Sequence, residues 1–191
     1  MSNRGPHHHL EQPAPAAQAA VRPTVLFRST RFLGHDTGTH PENAGRIGAI
    51  EAELDRSDLL RGRREITFGP ASREQLERVH DPAYLDAIAR AAASGGGWID
   101  GDTMIRPDSV AVAELAAGAA TAAVDAVLDG EAGRALVLGR PPGHHATPVR
   151  AMGFCLINSI AVAAAHAIAR GLERVVILEW DVHHGNGTQD A

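Results

Sequence analysis

The sequence predicts an α/β fold, a parallel sheet with helices on both faces, and three observations carry that prediction. Short apolar runs of strand length alternate with longer helical stretches along the chain. Residues 175–178 are continuously apolar rather than alternating, the pattern of a strand covered on both faces. Two such runs lead straight into histidine-rich loops, which belong at the carboxyl edge of an open parallel sheet, where sites collect.

Residues 1–22 are rich in Pro, Ala and polar residues with no apolar period, so they are read as a disordered tail and the fold is expected over 23–191. TVLFR (24–28) has the length and composition of a strand, and residues 40–60 read as a helix opened by Pro41 in its first turn. Residues 72–94 carry two helical segments broken at Pro82. GGGWIDGDTMIRPDS (95–109) is a glycine-rich loop leading to a helix cap at Asp108 and Ser109, and an alanine-rich helix follows until just before Gly130. RALVLG (134–139) is a strand, 158–171 a helix stopped by Gly171, and RVVILEW (174–180) a second strand.

Composition narrows the function classes. Hydrophobic residues make up 44% of 191, enough for a sizeable core. The net charge of −5 is spread along the chain, with no basic stripe for nucleic acid and no polybasic membrane patch. Cys155 is the only cysteine, so an intramolecular disulfide and the cysteine-rich zinc sites are excluded, and a reducing, cytoplasmic setting is expected. No stretch has the roughly 18 uninterrupted apolar residues of a membrane span, and the N-terminus lacks the apolar centre of a signal peptide.

The chemistry gathers at the strand ends. Side chains two apart on a strand share a face, so Glu179, Asp181 and His183 align while Trp180 and Val182 face the other way. A carboxylate and an imidazole on one face suit zinc, whose catalytic sites take three protein ligands and leave a position open. An isolated Asp-x-His would sooner be a local pair in a turn. Here a second histidine pair, His144 and His145, follows the rigid RPPG turn at the same expected sheet edge, and metal-assisted hydrolysis needs a general base beside the attacking water.

The segments HPENAGR (40–46), VHDPAYL (79–85), DGDT (100–103), RPPGHHA (140–146), GFCLINSIAVAA (153–164) and DVHHGNGTQ (181–189) together resemble the histone deacetylase family of zinc amidohydrolases, class II and acetylpolyamine amidohydrolase types included. The resemblance implies an arginase/deacetylase-like sheet and a substrate that is an acetylated lysine peptide or acetylated small amine. It implies Asp181 and His183 as zinc ligands, His145 as general base, His144 as its electrostatic partner, and Asn186 as the residue orienting the second histidine. It further implies Asp102 at the pocket rim, Gly153 and Phe154 in the acyl tunnel, and Arg46 beneath the site. Without the resemblance, Asp102 reads as a turn former, Gly153 and Phe154 as turn and core, and Arg46 as a solvated helix residue. Cys155 is read as a small buried hydrophobe, and Tyr84 and Trp98 as packing residues.

Two departures stand out. Glu179 occupies a position where the family usually has Asp, which in relatives balances the first histidine and contributes to a monovalent-cation (K⁺) site beside residues 179, 181 and 183; the extra methylene is expected to alter its angle to His144. The family's third zinc ligand and its Tyr or His oxyanion donor lie downstream of DVHHGNGTQ, so the chain is expected to be the N-terminal portion of such a domain, truncated, with impaired function. An inactive deacetylase-like fragment acting as a binding or assembly module is the alternative. The final strand is expected to lack neighbours, an aggregation hazard unless another copy pairs with it as a homo-oligomer. Arginase-type two-manganese chemistry is disfavoured, since Gly185 stands where a further carboxylate is needed.

Overall fold

In a computed structural model, which describes residues 22–191, the chain runs β1 (Thr24–Phe27), α1 (Gly45–Arg56), α2 (Arg73–Glu77), α3 (Pro82–Ala93), β2 (Gly97–Trp98), β3 (Met104–Ile105), α4 (Ser109–Leu128), β4 (Arg134–Val137), α5 (Ser159–Ala169) and α6 (Asn186–Asp190), with a 3₁₀ turn at Thr30–Gly34. The tail expected at 1–22 lies outside the described residues apart from Arg22. Strands β1 and β4 pair in parallel, Thr24 opposite Arg134 and Phe27 opposite Val137, and Glu65 bridges the other edge of β1 at Leu26. The fold is α/β, as the alternation of runs predicts.

Local chemistry explains most boundaries. Ser72 accepts from Gln75 N–H while the Gln75 side chain returns to the Ser72 N–H, a capping box that starts α2. Asp81 caps α3 ahead of Pro82, where the missing proline N–H costs nothing. Helix α1 begins at Gly45, four residues after Pro41. Asn43 intervenes, its side chain accepting from Gly45 N–H and donating to the His40 carbonyl, which holds 40–44 as a turn. Asp108 makes no capping bond to α4; Ser109 Oγ instead accepts from Arg106 N–H. The glycine-rich loop folds into the short antiparallel pair β2–β3.

Helix α4 is the centre of the molecule. Val110, Ala113 and Ala117 face a core built with Leu76, Tyr84, Leu85, Ile88, Leu156, Ile157 and Val162. Val112, Leu115, Ala116, Ala119, Ala123 and Ala126 face a second core with Val25, Phe27 and Phe32. A helix that serves two cores is apolar on most of its circumference. Its mean hydropathy of 1.6 over an 18-residue window is high enough for a membrane span, and 61% of that window is buried inside the protein, as in a core helix.

The strand expected at 174–180 is not formed. Residues 173–182 carry no regular structure, and Val176, Leu178, Trp180 and Val182 are 91%, 78%, 88% and 91% exposed. The reading of this run as covered on both faces is therefore corrected. An apolar run signals a demand for cover, and among the described residues no strand lies beside it to meet that demand. Between the run, β4, α4 and α5 lies a cavity of about 800 Å³ lined by Ala120, Val124, Val137, Ala163 and Leu178. The next element, α6, carries Asn186 and was not expected.

Candidate active site

The loop after β4 is held from three sides. At its root Arg140 is buried and bound to Glu42. On one side Asn158 Nδ2 reaches the Ala146 carbonyl at 3.4 Å and Thr188 Oγ1 at 3.1 Å, while its Oδ1 caps α5 at Ala161 N–H. On the other, Thr188 N–H donates to the His144 carbonyl at 3.1 Å. His80, 1% exposed, accepts from Asn158 N–H at Nε2 and faces the Thr147 carbonyl from Nδ1 at 3.1 Å. That pattern requires the neutral ring, and burial lowers its pKa accordingly.

The result is a convergence of rings. His144 and His145 have centroids 4.1 Å apart, and His183 lies 6.0 Å from His145. His145 Nδ1 and Asn186 Oδ1 are 2.7 Å apart; an amide oxygen only accepts, so Nδ1 carries a proton and, in the neutral ring, the lone pair belongs to Nε2. Asn186 Nδ2 donates to Met152 Sδ, which agrees with that amide orientation. Glu179 Oε1 accepts from Thr188 Oγ1 at 2.7 Å, and its Oε2 stands 3.7 Å from His144 Nδ1, an ion-pair distance beyond a hydrogen bond. The Glu179 carboxylate occupies the space beside Gly185 that any Cβ would fill.

Gly153 and Phe154 form a tight turn in which Met152 and Cys155 exchange backbone bonds and both central residues have positive φ, 56° and 71°. Two left-handed residues in succession give the I′ geometry that matches strand twist. For Phe154 it costs about 1 kcal/mol or more, since its Cβ crowds the carbonyl. Gly153 lies against His145, where an added Cβ would come within 2.5 Å of Cδ2. Phe154 N–H donates to Thr103 Oγ1, which donates to Asp102 Oδ1, so Asp102 is tied to this turn while its own side remains exposed. His40 meets Phe154 edge-on at 4.6 Å, and Trp98 lies 5.9 Å from His40.

Asp181 and His183 are adjacent and open, with side chains 52% and 74% exposed. Asp181 Oδ1 accepts from His183 N–H, and this bond holds its carboxyl below the usual range. An oxygen and an imidazole donor fit zinc by type. Their number falls short, because no group of three or more metal-capable side chains converges among the described residues.

Several expectations need correction. Arg46 is exposed on the first turn of α1 and does not join the cluster; the buried arginine at the foot of the histidine loop is Arg140. A helix start tolerates a solvated arginine, whereas Arg140 has the carboxylate that burial demands. Trp98 is 57% exposed at the rim rather than packed inside. Tyr84 does pack, donating its hydroxyl to the Leu156 carbonyl. Cys155 is fully buried, and burial pushes its thiol up to about 12, so it stays protonated. Sequence reasoning missed the roles of His80, Asn158, Arg140 and Glu42. Each sits in a quoted motif, but nothing in a periodic pattern marks a polar residue for burial.

A parallel α/β scaffold whose loops gather paired histidines, a bonded asparagine and an Asp-x-His step defines the class: the chain belongs to the histone deacetylase domain family, which matches residues 40–191. It is 48% identical over 188 residues to a histone deacetylase-like amidohydrolase of Pseudomonas aeruginosa, covering 88% of this chain and 50% of that protein. It is 37% identical to the polyamine deacetylase HDAC10 of Homo sapiens, covering 84% of this chain and 25% of that one. The crystal structure of the HDA15 HD domain superposes with a TM-score of 0.84 at 35% identity, covering 88% of this chain and 49% of that one. The chain thus spans about half, or less, of the length of these relatives.

Proposed function

We propose that the chain carries the histidine-bearing half of a zinc-dependent deacetylase site, acting on acetylated lysine peptides or acetylated small amines. The observation that carries this reading is the His145 Nδ1–Asn186 Oδ1 bond of 2.7 Å, which leaves Nε2 free as a base within the ring cluster. Zinc, held in part by Asp181 and His183, would supply the Lewis acidity that polarises the acetyl carbonyl. His145 Nε2 takes a proton from the attacking water and returns it to the leaving amine nitrogen, so that amide and water become acetate and free amine. His144, balanced by Glu179, tunes the charge next to that proton. Gly153 and Phe154 flank the acyl chain and Asp102 holds the substrate backbone at the rim. A monovalent cation near Glu179, Asp181 and His183, and a reducing cytoplasmic setting, belong to the same proposal.

A second reading, an inactive deacetylase-like chain that serves as a binding or assembly module, is favoured by the finding that, among the described residues, no three metal-capable side chains converge. Zinc titration of the chain, with acetate release from acetyl-lysine peptide and acetylated amine, decides. The first reading expects zinc uptake that disappears in Asp181→Ala and His183→Ala, and acetate release that falls by about 10²–10⁴ in His145→Ala. Zinc uptake indifferent to both substitutions, with no acetate released, supports the second.

A further inference from the structure

Beneath the histidine loop lies a buried charged group that the proposed chemistry does not use. Glu42 and Arg140 are 2% and 3% exposed and meet in a two-pronged contact, Nε to Oε1 at 2.9 Å and Nη2 to Oε2 at 2.8 Å. Arg140 Nη1 also donates to the carbonyls of Phe32 and His35, at 2.9 and 2.6 Å. His35, 2% exposed, brings Nε2 to 3.4 Å from Glu42 Oε2. Ser109 Oγ accepts from Arg106 N–H and lies 2.6 Å from His35 Nδ1; when its hydroxyl donates there, the His35 proton sits on Nε2 facing the carboxylate.

A buried ion pair is seldom kept for stability alone, because desolvating both charges costs several kcal/mol each and their attraction little more than repays it. This one touches both walls of the site. Arg140 is the residue from which Pro141, Pro142 and Gly143 lead to His144 and His145, and two fixed proline φ angles leave that path little slack. At the other end Glu42 N–H donates to His40 Nδ1 at 3.1 Å, and His40 lies edge-on against Phe154 at 4.6 Å.

We propose that Glu42 is a positioning residue: its carboxylate, through Arg140, sets the loop bearing His144 and His145, and its backbone N–H, through His40, ties that anchor to the Gly153–Phe154 turn, so that the two walls keep one spacing. The inference rests on the reading of His145 as the base and adds what aims it.

The test follows the His145 ring by proton–nitrogen NMR in the whole chain, where its Nδ1–H bonded to Asn186 gives a resonance of its own. Glu42→Gln removes the charge and keeps the shape; the pair Glu42→Leu with Arg140→Met removes both charges and keeps the volume. The expected result is loss of the His145 Nδ1–H resonance in both variants, with the unfolding midpoint lowered in the first and recovered in the second. Glu42→Asp, which keeps the charge, is expected to retain the resonance. Retention of the resonance in the double variant overturns the proposal, since the pair then only fills space, and that variant decides should Glu42→Gln fail to fold. The resonance reads geometry without turnover, so a silent acetate assay on the unaltered chain counts against the deacetylase reading alone.

Discussion

Glu42 shows how a single side chain makes acid sensitivity a property of this protein. Burial pushes its carboxyl up, and the bonds from His35 and Arg140 push it down further, from 4.5 to about 2. A depressed carboxyl stabilises the fold above its unfolded value and loses that contribution as pH falls through the folded one, here from 4.5 towards 2 and on the order of 3 kcal/mol. His80 acts in the same direction, because its buried neutral ring resists the proton that the unfolded chain accepts below about 6.5. Urea midpoints measured against pH are expected to decline below 6.5 and to drop more steeply below 4.5; a flat profile to pH 3 would contradict both assignments. At Gly153 the expectation is different in kind. Gly153→Ala adds a Cβ 2.5 Å from the His145 ring at a φ of 56°, so it should displace the imidazole at a stability cost of about 1–2 kcal/mol. Ring resonances of His145 and a melting curve check it together.

Elements in this chain serve as brackets for loops. Helix α5 is capped by Asn158, whose amide also ties Ala146 and Thr188, so one residue fixes a helix start and two site loops. Asn158→Ala removes a cap worth about 1 kcal/mol and strands the Ala146 carbonyl and Thr188 Oγ1, while the backbone N–H to His80 remains, for a total of about 2–3 kcal/mol. Chemical denaturation reads that cost; a change below about 0.5 kcal/mol would show that the loops are held from elsewhere. Ser72→Ala, by contrast, breaks only the capping box of the short α2 and should cost about 1 kcal/mol without disturbing His145.

On the scale of the whole molecule the decisive feature is the extended run ahead of Asp181. Four large apolar side chains at alternating positions, Val176, Leu178, Trp180 and Val182, face outward beside a cavity of about 800 Å³, and no ladder bonds hold the run. Such an edge invites pairing with another chain. Light scattering is expected to rise steeply with protein concentration, and Trp180→Lys together with Leu178→Lys should suppress it. Unchanged association in that variant would move the sticky surface elsewhere. The looseness of the same run leaves Asp181 and His183 exposed, so if these two hold zinc as proposed, the affinity should lie far below that of a closed three-ligand centre.

The sequence by itself determined the local order: strand β1, the capped helices α2 and α3, the stop of α5 at Gly171, and the resemblance that named the histidines, the Asp-x-His step and Asn186. Those signals are short in range, written in caps, turns and fixed spacings, so they survive without knowledge of neighbours. Tertiary structure alone decided that Glu42, Arg140, His80 and Asn158 are buried partners, that Arg46 and Trp98 are exposed, and that residues 174–180 form no strand. Burial of a polar group depends on a partner distant in the chain, 98 residues away for Glu42 and Arg140, and a strand exists only where another backbone offers its hydrogen bonds.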